Sequence, residues 1–145
     1  MVWLTSTFTG KTFFDKDETL LGVDLNHNGI RDDVESLIEA DQTLSSAGKA
    51  IFMTGAKAYQ TALKSTTTQA DSDNDKASNQ MMTFISCLSL HYKDDRRQAL
   101  SKLKMLQLNT EKRVNAYLAY NQSRNGTVQN LSDKTLEQCQ TFSDT

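Results

Sequence analysis

The sequence of 145 residues predicts an all-α protein that folds as a multi-helix bundle. Proline is absent, so the residue that most strongly breaks a helix interior is missing throughout. Apolar residues recur at helical spacing in several segments, for example at Met81, Phe84, Ile85 and Leu88. No convincing strand pair and no internal repeat interrupts this pattern. A chain of this length suits one domain with a sizeable core.

The first predicted element is an irregular, aromatic-rich segment over residues 1–14. Its large side chains are expected to pack over the core: Trp3, Phe8, Phe13 and Phe14. Asp15 and Glu18 then form a capping-box pattern at the start of a short helix over about 16–22. Gly22 is the expected end of this helix, because glycine favours the backbone conformation that terminates helices.

A long amphipathic stretch starts at Val34 and continues to Leu63. It predicts either one helix or two helices with a bend near residues 41–43. One face of the stretch carries small residues, which allow a neighbouring helix to approach closely: Ala47, Gly48, Gly55 and Ala56. The almost wholly polar stretch that follows, residues 65–80, predicts a loop.

Three further helices are predicted after this loop. One ends near Tyr92, the next covers about 95–107, and the third begins after a cap at Asn109 or Thr110 and ends at residues 125–126. The residues expected to point inward are Ala99, Leu100, Leu103 and Leu106 in the second of these helices and Val114, Tyr117 and Leu118 in the third.

The two cysteines, Cys87 and Cys139, lie far apart, and Cys139 belongs to a final short helix that Ser132 can cap and that also carries Leu136. A disulfide between them would suit an exported protein, whereas two buried thiols would suit a cytosolic one. Closing a loop of about 50 residues stabilises a fold by roughly 4 kcal/mol in the chain-entropy model. No signal peptide is visible, so either the protein is cytosolic or the sequence is the mature fragment of an exported protein with a start methionine added, and we expect the fragment.

The formal net charge of −2 implies no strong attraction to nucleic acid or to anionic lipid. No apolar run approaches the roughly 20 residues that a membrane-spanning helix needs. Positive charge concentrates in the second half of the chain, where a solvated helix face is the ordinary interpretation and an acidic partner is the alternative. The cationic residues in question are Lys93, Arg96, Arg97, Lys102, Lys104, Lys112 and Arg113.

Residues 24–35 read D-L-N-H-N-G-I-R-D-D-V-E and match the pattern D-x-[DN]-x-[DN]-G-x5-E. Calcium is a hard cation that takes about six to eight oxygen ligands, and Gly29 permits the positive φ that redirects such a loop. The twelve residues resemble the calcium-binding loop of EF-hand proteins. The resemblance implies Ca2+ ligation by the side chains of Asp24, Asn26, Asn28, Asp32 and Glu35 and by the backbone carbonyl of Ile30.

Arg31 is a departure from the family pattern, because paired EF-hands usually have Ile, Leu or Val at this eighth loop position. The departure argues against pairing with a second loop. The sequence is more similar to the solitary loops of exported bacterial proteins, and somewhat to dockerin and thrombospondin type 3 repeats. Only three of the five side-chain ligands are charged, which predicts a structural site of moderate affinity. The alternative is an Asx-rich turn that binds no metal.

Weaker metal-site patterns occur elsewhere. Residues 71–75 repeat the D-x-D-x-D opening, but Lys76 and Met82 replace the turn glycine and the last ligand. A solvated loop that caps a helix is the favoured interpretation, and a degenerate second site is the alternative. His27 and His91 have no partner at zinc-ligand spacing and are expected to be ordinary surface or boundary residues.

No sequence motif for catalysis is present: there is no G-x-S-x-G, no phosphate-binding glycine loop and no H-E-x-x-H. Residues 108–121 resemble segments of uncharacterised exported bacterial proteins. We therefore expect a calcium-binding, periplasmic or secreted bacterial protein that acts as a binding or interaction module and is not an enzyme. The alternatives are an inhibitor or immunity-type partner protein with a structural calcium ion, and a metal-dependent hydrolase. We expect a single domain, 1–145, with three parts. These are an irregular N-terminal segment (1–14), an EF-hand-like unit (15–41) and a helical bundle (42–145).

Overall fold

The computed structural model describes residues 19–68, 71–125 and 139. Over these ranges every regular element is helical, which confirms the predicted all-α class. The helices are α1 (Asp32–Ala40), α2 (Ser46–Thr68), α3 (Asp71–Tyr92), α4 (Arg96–Gln107) and α5 (Glu111–Ser123), with one 3-10 turn at Lys93–Asp95. No helix in the described ranges is both long enough and apolar enough to cross a membrane.

The amphipathic stretch after the loop forms two helices rather than one. α1 ends where Asp41 becomes extended, with φ −78° and ψ 105°. α2 begins after Ser45, whose hydroxyl accepts a hydrogen bond from the Gly48 amide at 3.0 Å and so satisfies an open donor of the first turn. The break therefore covers residues 41–45 and includes the bend that the sequence allowed at 41–43.

The polar stretch at 65–80 is helical in both of its described parts, 65–68 and 71–80, so the predicted loop is wrong there. The hydroxyl of Ser65 donates to the carbonyl three residues earlier at 2.7 Å, which lets a polar residue stay within α2. Ser65 and Ala77 are buried. Because α2 and α3 form the most extensive helix pair of the described residues, tertiary packing outweighs the local polarity.

The main core lies where α2, α3 and α4 meet around Gly55. A Cβ atom built on Gly55 would lie 2.4 Å from the Phe84 ring and 2.6 Å from the Leu103 side chain. The small-residue face of α2 therefore allows the close approach that the sequence predicted. Other buried members of this core are Val34, Ile38, Ile51, Phe52, Ala56, Tyr59, Cys87, Leu88 and Ala99.

The C-terminal ends and the inward faces of α3 and α4 confirm the predictions for them, whereas α3 starts at Asp71, ten residues before the predicted start near Met81. α3 ends at Tyr92 and α4 ends at Gln107. Phe84, Leu88, Ala99 and Leu103 are buried, and partly buried apolar side chains pack against this core: Met81, Ile85, Leu100 and Leu106. The helical period in the sequence was a reliable guide here because both helices bury a continuous apolar stripe.

The buried face of α5 differs from the prediction. Thr110 caps the helix as expected, since its hydroxyl accepts from the Arg113 amide at 3.2 Å. Val114 and Leu118, however, are 38% and 58% exposed, and their predicted burial is wrong. Arg113 and Tyr120 are buried instead, because both find hydrogen-bond partners inside the molecule.

A second, smaller cluster joins α5 to the α2–α3 pair. Tyr120 packs with Ala62 and Ala77, and its hydroxyl lies 3.0 Å from the Ser78 hydroxyl. Tyr117, which the sequence correctly placed inward, is partly buried between the two clusters. The face of α5 was hard to predict because its inward residues are an arginine and two tyrosines rather than aliphatic side chains.

A disulfide joins Cys87 of α3 to Cys139 across 52 residues, with an S–S distance of 2.10 Å. Both cysteines are buried, so the bond fastens residue 139 to the core. The predicted pairing is confirmed. Other predictions lie outside the described residues, namely the irregular segment 1–14, the capping box at Asp15 and Glu18, Gly126, and the final helix with Ser132 and Leu136.

Candidate metal centre

The chain enters the loop through a bent segment rather than a helix. Residues 19–22 are not helical, so the predicted helix over 16–22 is wrong in its described part. Gly22 has φ +67°. The carbonyls of this segment bond to distant side chains: Gln60 donates to Leu21 at 2.7 Å, and Arg113 donates to residues 19 and 20 at 2.9 and 3.1 Å. These tertiary partners replace the bonds that a helix would provide.

The centre of the loop is organised by the Asp24 carboxylate. Its two oxygens accept hydrogen bonds from the amides of Asn28 at 3.3 Å and Gly29 at 2.9 Å. Gly29 has φ +85°, the left-handed conformation that its position predicted. The Lys57 side chain lies against this glycine, 3.2 Å from where a Cβ atom would be. The loop therefore turns sharply around Gly29 and rests on α2.

The end of the loop is tied back to its centre by Asn28 and Glu35. The Asn28 side-chain amide donates to a Glu35 carboxylate oxygen at 3.0 Å, and its own oxygen accepts from the Ile30 amide at 3.0 Å. The Asn26 side-chain oxygen also lies 3.3 Å from the Asn28 amide nitrogen, which donates to it. The structure thus brings Asp24, Asn26 and Glu35 into one hydrogen-bonded group around Asn28.

The base of the loop is closed by Asp32. Its amide donates to the Val23 carbonyl at 2.8 Å, and its carboxylate accepts from the Leu25 amide at 3.0 Å. Asp32 is also the first residue of α1, where a negative charge is favourable because the helix N-terminus carries a partial positive charge. Ile30 turns its side chain into the core and is 7% exposed.

The donor set suits calcium in type and in order. All the proposed ligand atoms are oxygens, which a hard cation prefers. In the described part of the chain, no ion pair involves Asp24, Asp32 or Glu35, whose oxygens accept only from backbone amides and from Asn28. Among the described residues, no three His, Cys, Asp or Glu side chains gather into a compact metal cluster, so these three carboxylates lie apart. The ligand set stays a prediction.

Arg31 has a structural role that the sequence did not reveal. It is fully buried and forms an ion pair with Asp33. Its guanidinium also donates to the carbonyls of Leu106 at 2.9 Å and Gln107 at 3.1 Å. These carbonyls lie at the C-terminal end of α4, where helical partners are missing and a cation is favourable. The unusual residue at the eighth loop position therefore binds another part of the same chain.

Asn109 links Arg31 to a second buried arginine. Its side-chain oxygen accepts from Arg31 at 3.3 Å and from Arg113 at 2.7 Å. We call residues 106–113 the α4–α5 corner. The prediction of a solvated face is wrong for Arg113, which is fully buried, and Lys104 is partly buried. It is confirmed for the exposed members: Lys93, Arg96, Arg97, Lys102 and Lys112.

The weaker candidate sites have ordinary structural roles. Residues 71–75 form the start of α3 rather than a loop. Within them, the Asp73 carboxylate accepts from the Thr68 hydroxyl at 2.7 Å, and Asp75 pairs with Arg124 at 3.4 Å. His27 and His91 are exposed, as expected of surface residues.

One open groove lies at the junction of α3 and α4, away from the loop. Its lining residues are Ser89, Lys93, Asp94, Arg96, Arg97 and Gln98, and none of them belongs to residues 24–35. No protein-family model matches the chain, and no curated protein or solved structure matches it either.

Proposed function

We propose that residues 24–35 bind one calcium ion, which stabilises an exported bacterial protein acting as a binding or interaction module. The observation that carries the proposal is the loop itself. The twelve residues turn at Gly29, which has a positive φ, and carry four carboxylates. Asp33 pairs with Arg31, whereas Asp24, Asp32 and Glu35 have no cationic partner among the described residues. These three carboxylates lie apart here, and a bound cation would draw their oxygens around one positive charge.

The residues that would hold the ion are Asp24, Asn26, Asn28, Asp32 and Glu35 through their side chains and Ile30 through its carbonyl. The ion supplies positive charge, and its binding free energy adds to the free energy of folding. Asp24 and Glu35 come from opposite ends of the loop and already meet at Asn28. Calcium at this point would therefore fasten the segment before the loop to α1.

A structural role fits the loop better than a catalytic one. Arg113 and Gln60 hold the segment that precedes the loop, and Arg31 holds its last third. A loop anchored on both sides is preorganised, which lowers the entropic cost of gathering ligands. The Cys87–Cys139 disulfide supports an exported setting, because such bonds persist in oxidising compartments, where the calcium level can keep a moderate site loaded.

Calcium binding is tested by isothermal titration calorimetry on wild type, Glu35→Ala and the control Glu39→Ala. Glu35 lies in the first turn of α1, and Glu39 is an exposed carboxylate one turn further on. We expect one calcium site in wild type and in Glu39→Ala, and at least about tenfold weaker binding in Glu35→Ala because a bidentate ligand is lost. Absence of a heat signal in wild type, confirmed by an unchanged melting temperature on adding calcium, would overturn the proposal.

The interaction role is supported by apolar side chains that α5 leaves exposed. Val114 and Leu118 are one helical turn apart on the same face, a spacing that helices use to bind protein grooves. Photo-crosslinking in the bacterial envelope, with the reactive group at position 118, should capture a defined protein partner. The same group at exposed Lys112, which lies on a different face of α5, is the control, and equal or absent crosslinking at both positions would contradict a docking role for the face with Val114 and Leu118.

A further inference from the structure

Arg31 connects the proposed calcium loop to a distant part of the chain. It lies between Ile30 and Asp32, two of the proposed ligands, and is 0% exposed. Its guanidinium donates to the Gln107 carbonyl, 76 residues away in the sequence, at 3.1 Å and to the Leu106 carbonyl at 2.9 Å. A backbone movement that rearranges the ligands at 30 and 32 must therefore strain bonds at the end of α4.

The α4–α5 corner also holds the segment that leads into the loop. Arg113 donates to the carbonyls of residues 19 and 20 at 2.9 and 3.1 Å. Asn109 accepts from both arginines, at 3.3 Å from Arg31 and 2.7 Å from Arg113. The corner thus contacts the chain both before the first ligand, Asp24, and between the later ligands.

We propose that Arg31 is a positioning residue that couples calcium binding at residues 24–35 to the α4–α5 corner. The inference rests on the proposed calcium function and deepens it. In the free protein the corner holds the loop close to its binding conformation, and bound calcium in turn stabilises the corner. The two effects have the same magnitude, because coupling between two sites is reciprocal.

The chemistry of the arginine side chain explains why this position needs arginine. The guanidinium is a rigid planar fork with about five N–H donors, whereas lysine offers one compact ammonium group. Arg31 uses this fork on the Asp33 carboxylate, on two carbonyls of α4 and on Asn109. Lysine would keep the charge but could not satisfy acceptors that lie in several directions.

The test combines calcium calorimetry with hydrogen exchange measured by mass spectrometry on peptides that cover residues 104–112. The two informative variants are Arg31→Lys and Asn109→Ala. Asn109 is exposed, so its truncation should leave the fold intact, which circular dichroism checks. Asn115→Ala, an exposed asparagine on α5, is the matched control. Ser78→Ala is a second control, which removes the buried hydrogen bond to Tyr120 and touches neither the loop nor the corner.

Calcium should slow hydrogen exchange at the corner in wild type, in Asn115→Ala and in Ser78→Ala. Arg31→Lys and Asn109→Ala should bind calcium about fivefold or more weakly, the lower end of typical coupling, and their corner peptides should no longer respond to the ion. If Arg31→Lys fails to fold, Asn109→Ala decides the question by itself.

The outcomes separate the two proposals. If wild type binds no calcium, the proposed function fails and the coupling fails with it. If wild type binds calcium but Asn109→Ala binds equally well and its corner responds normally, the coupling is wrong and the calcium site stands. If Ser78→Ala loses as much affinity as Asn109→Ala, general instability explains the loss and the coupling is also wrong.

Discussion

Single residues around the loop show how buried charge is accommodated in this fold. Arg31 and Arg113 are both fully buried, yet each guanidinium donates to backbone carbonyls and to the Asn109 side chain. Burying a charge is costly unless its donors are satisfied, and breaking such an arrangement costs more than the arrangement contributes. Arg113 therefore makes the non-helical segment before the loop dependent on α5, and Arg31 ties the loop itself to the end of α4.

Replacement of Arg113 by alanine tests this dependence. Arg113→Ala should lower the free energy of unfolding by roughly 3 kcal/mol, because it leaves the carbonyls of residues 19 and 20 without these donors. Lys112→Ala, one residue earlier and exposed, should change it by less than about 0.5 kcal/mol. Urea unfolding followed by circular dichroism measures both, and equal effects of the two substitutions would contradict the role given to Arg113.

Helices in this protein are positioned by residue size as well as by apolar periodicity. α2 places Gly55 against Phe84 of α3 and Leu103 of α4, where any added Cβ atom would collide with ring and methyl carbons. Gly48 lies two helical turns earlier on the same face. A Cβ atom added there would lie 2.6 Å from the Tyr92 hydroxyl oxygen, 3.3 Å from the Ser45 hydroxyl oxygen and 3.7 Å from the Leu44 side chain. Both glycines allow close helix packing, but only the first is enclosed by core atoms.

The two glycines should respond differently to alanine. Gly55→Ala should destabilise the protein by about 1–3 kcal/mol, since core overpacking exceeds the gain of about 1 kcal/mol in helix propensity. Gly48→Ala should destabilise the protein less than Gly55→Ala, because relief of its closest contact needs only a shift of the partly buried Tyr92 side chain, whereas Gly55 is enclosed by the Phe84 ring and the Leu103 side chain. Midpoints of chemical denaturation would show the difference, and a Gly55→Ala variant as stable as wild type would mean that the α2–α3–α4 contact is loose.

An ion pair joins the break between α1 and α2 to α4. Asp41 pairs with Lys102 and accepts hydrogen bonds from the amide and hydroxyl of Thr43. Burial acts to raise the pKa of Asp41, but the hydrogen bonds from Lys102 and Thr43 outweigh it, so this pKa lies below its ordinary value of 3.8. Because this pKa is lower in the folded state, the ionised Asp41 stabilises the fold at pH values above 3.8. The stabilisation is lost as the pH falls through the folded-state pKa, where Asp41 becomes protonated.

The stability difference between Asp41→Asn and wild type should depend on pH, because the pKa of Asp41 is lowered in the folded state. The variant should be less stable than wild type at neutral pH, by no more than about 1 kcal/mol, because the pair is partly exposed. The difference should disappear below the folded-state pKa, where Asp41 is protonated in both the folded and the unfolded chain. Asp94→Asn changes an exposed carboxylate in the same way and should track wild type throughout. A constant deficit for Asp41→Asn across the pH range would show that charge is not the cause.

The whole molecule is held together by a cross-link as well as by its core. The Cys87–Cys139 disulfide closes a loop of 52 residues and buries both sulfur atoms against α3. The closed loop contains α4 and α5 with the corner between them. The bond therefore restricts the unfolded chain in the region that also anchors the proposed calcium loop.

Reduction of the disulfide should destabilise the folded protein substantially. The chain-entropy model gives a loss of about 4 kcal/mol for a loop of this size, a large fraction of the stability of an ordinary domain. Chemical denaturation with and without reductant measures the loss. The Cys87→Ala/Cys139→Ala double variant should have the same denaturation midpoint as reduced wild type, and adding reductant should not change it. An unchanged wild-type midpoint on complete reduction would contradict the prediction.

Local features of the sequence were sufficient for the helices that bury aliphatic stripes, for the Thr110 cap and for the turn at Gly29. Each depends on residues within one or two helical turns, where periodicity and side-chain chemistry act directly. The pairing of the two cysteines was also accessible, because the chain contains only two. The oxygen-rich loop was recognisable for the same local reason.

The tertiary structure alone decided the remaining features. The polar stretch 65–80 is helical in its described parts because α2 and α3 pack together, and α5 turns Arg113 inward rather than Val114. The carbonyl of Leu20, in the bent segment before the loop, accepts a hydrogen bond from Arg113, which lies 93 residues later in the sequence. The buried Arg31 donates to carbonyls that lie 75 and 76 residues later. Contacts between residues so far apart produce no periodic pattern in the sequence, because each depends on how the helices pack in three dimensions.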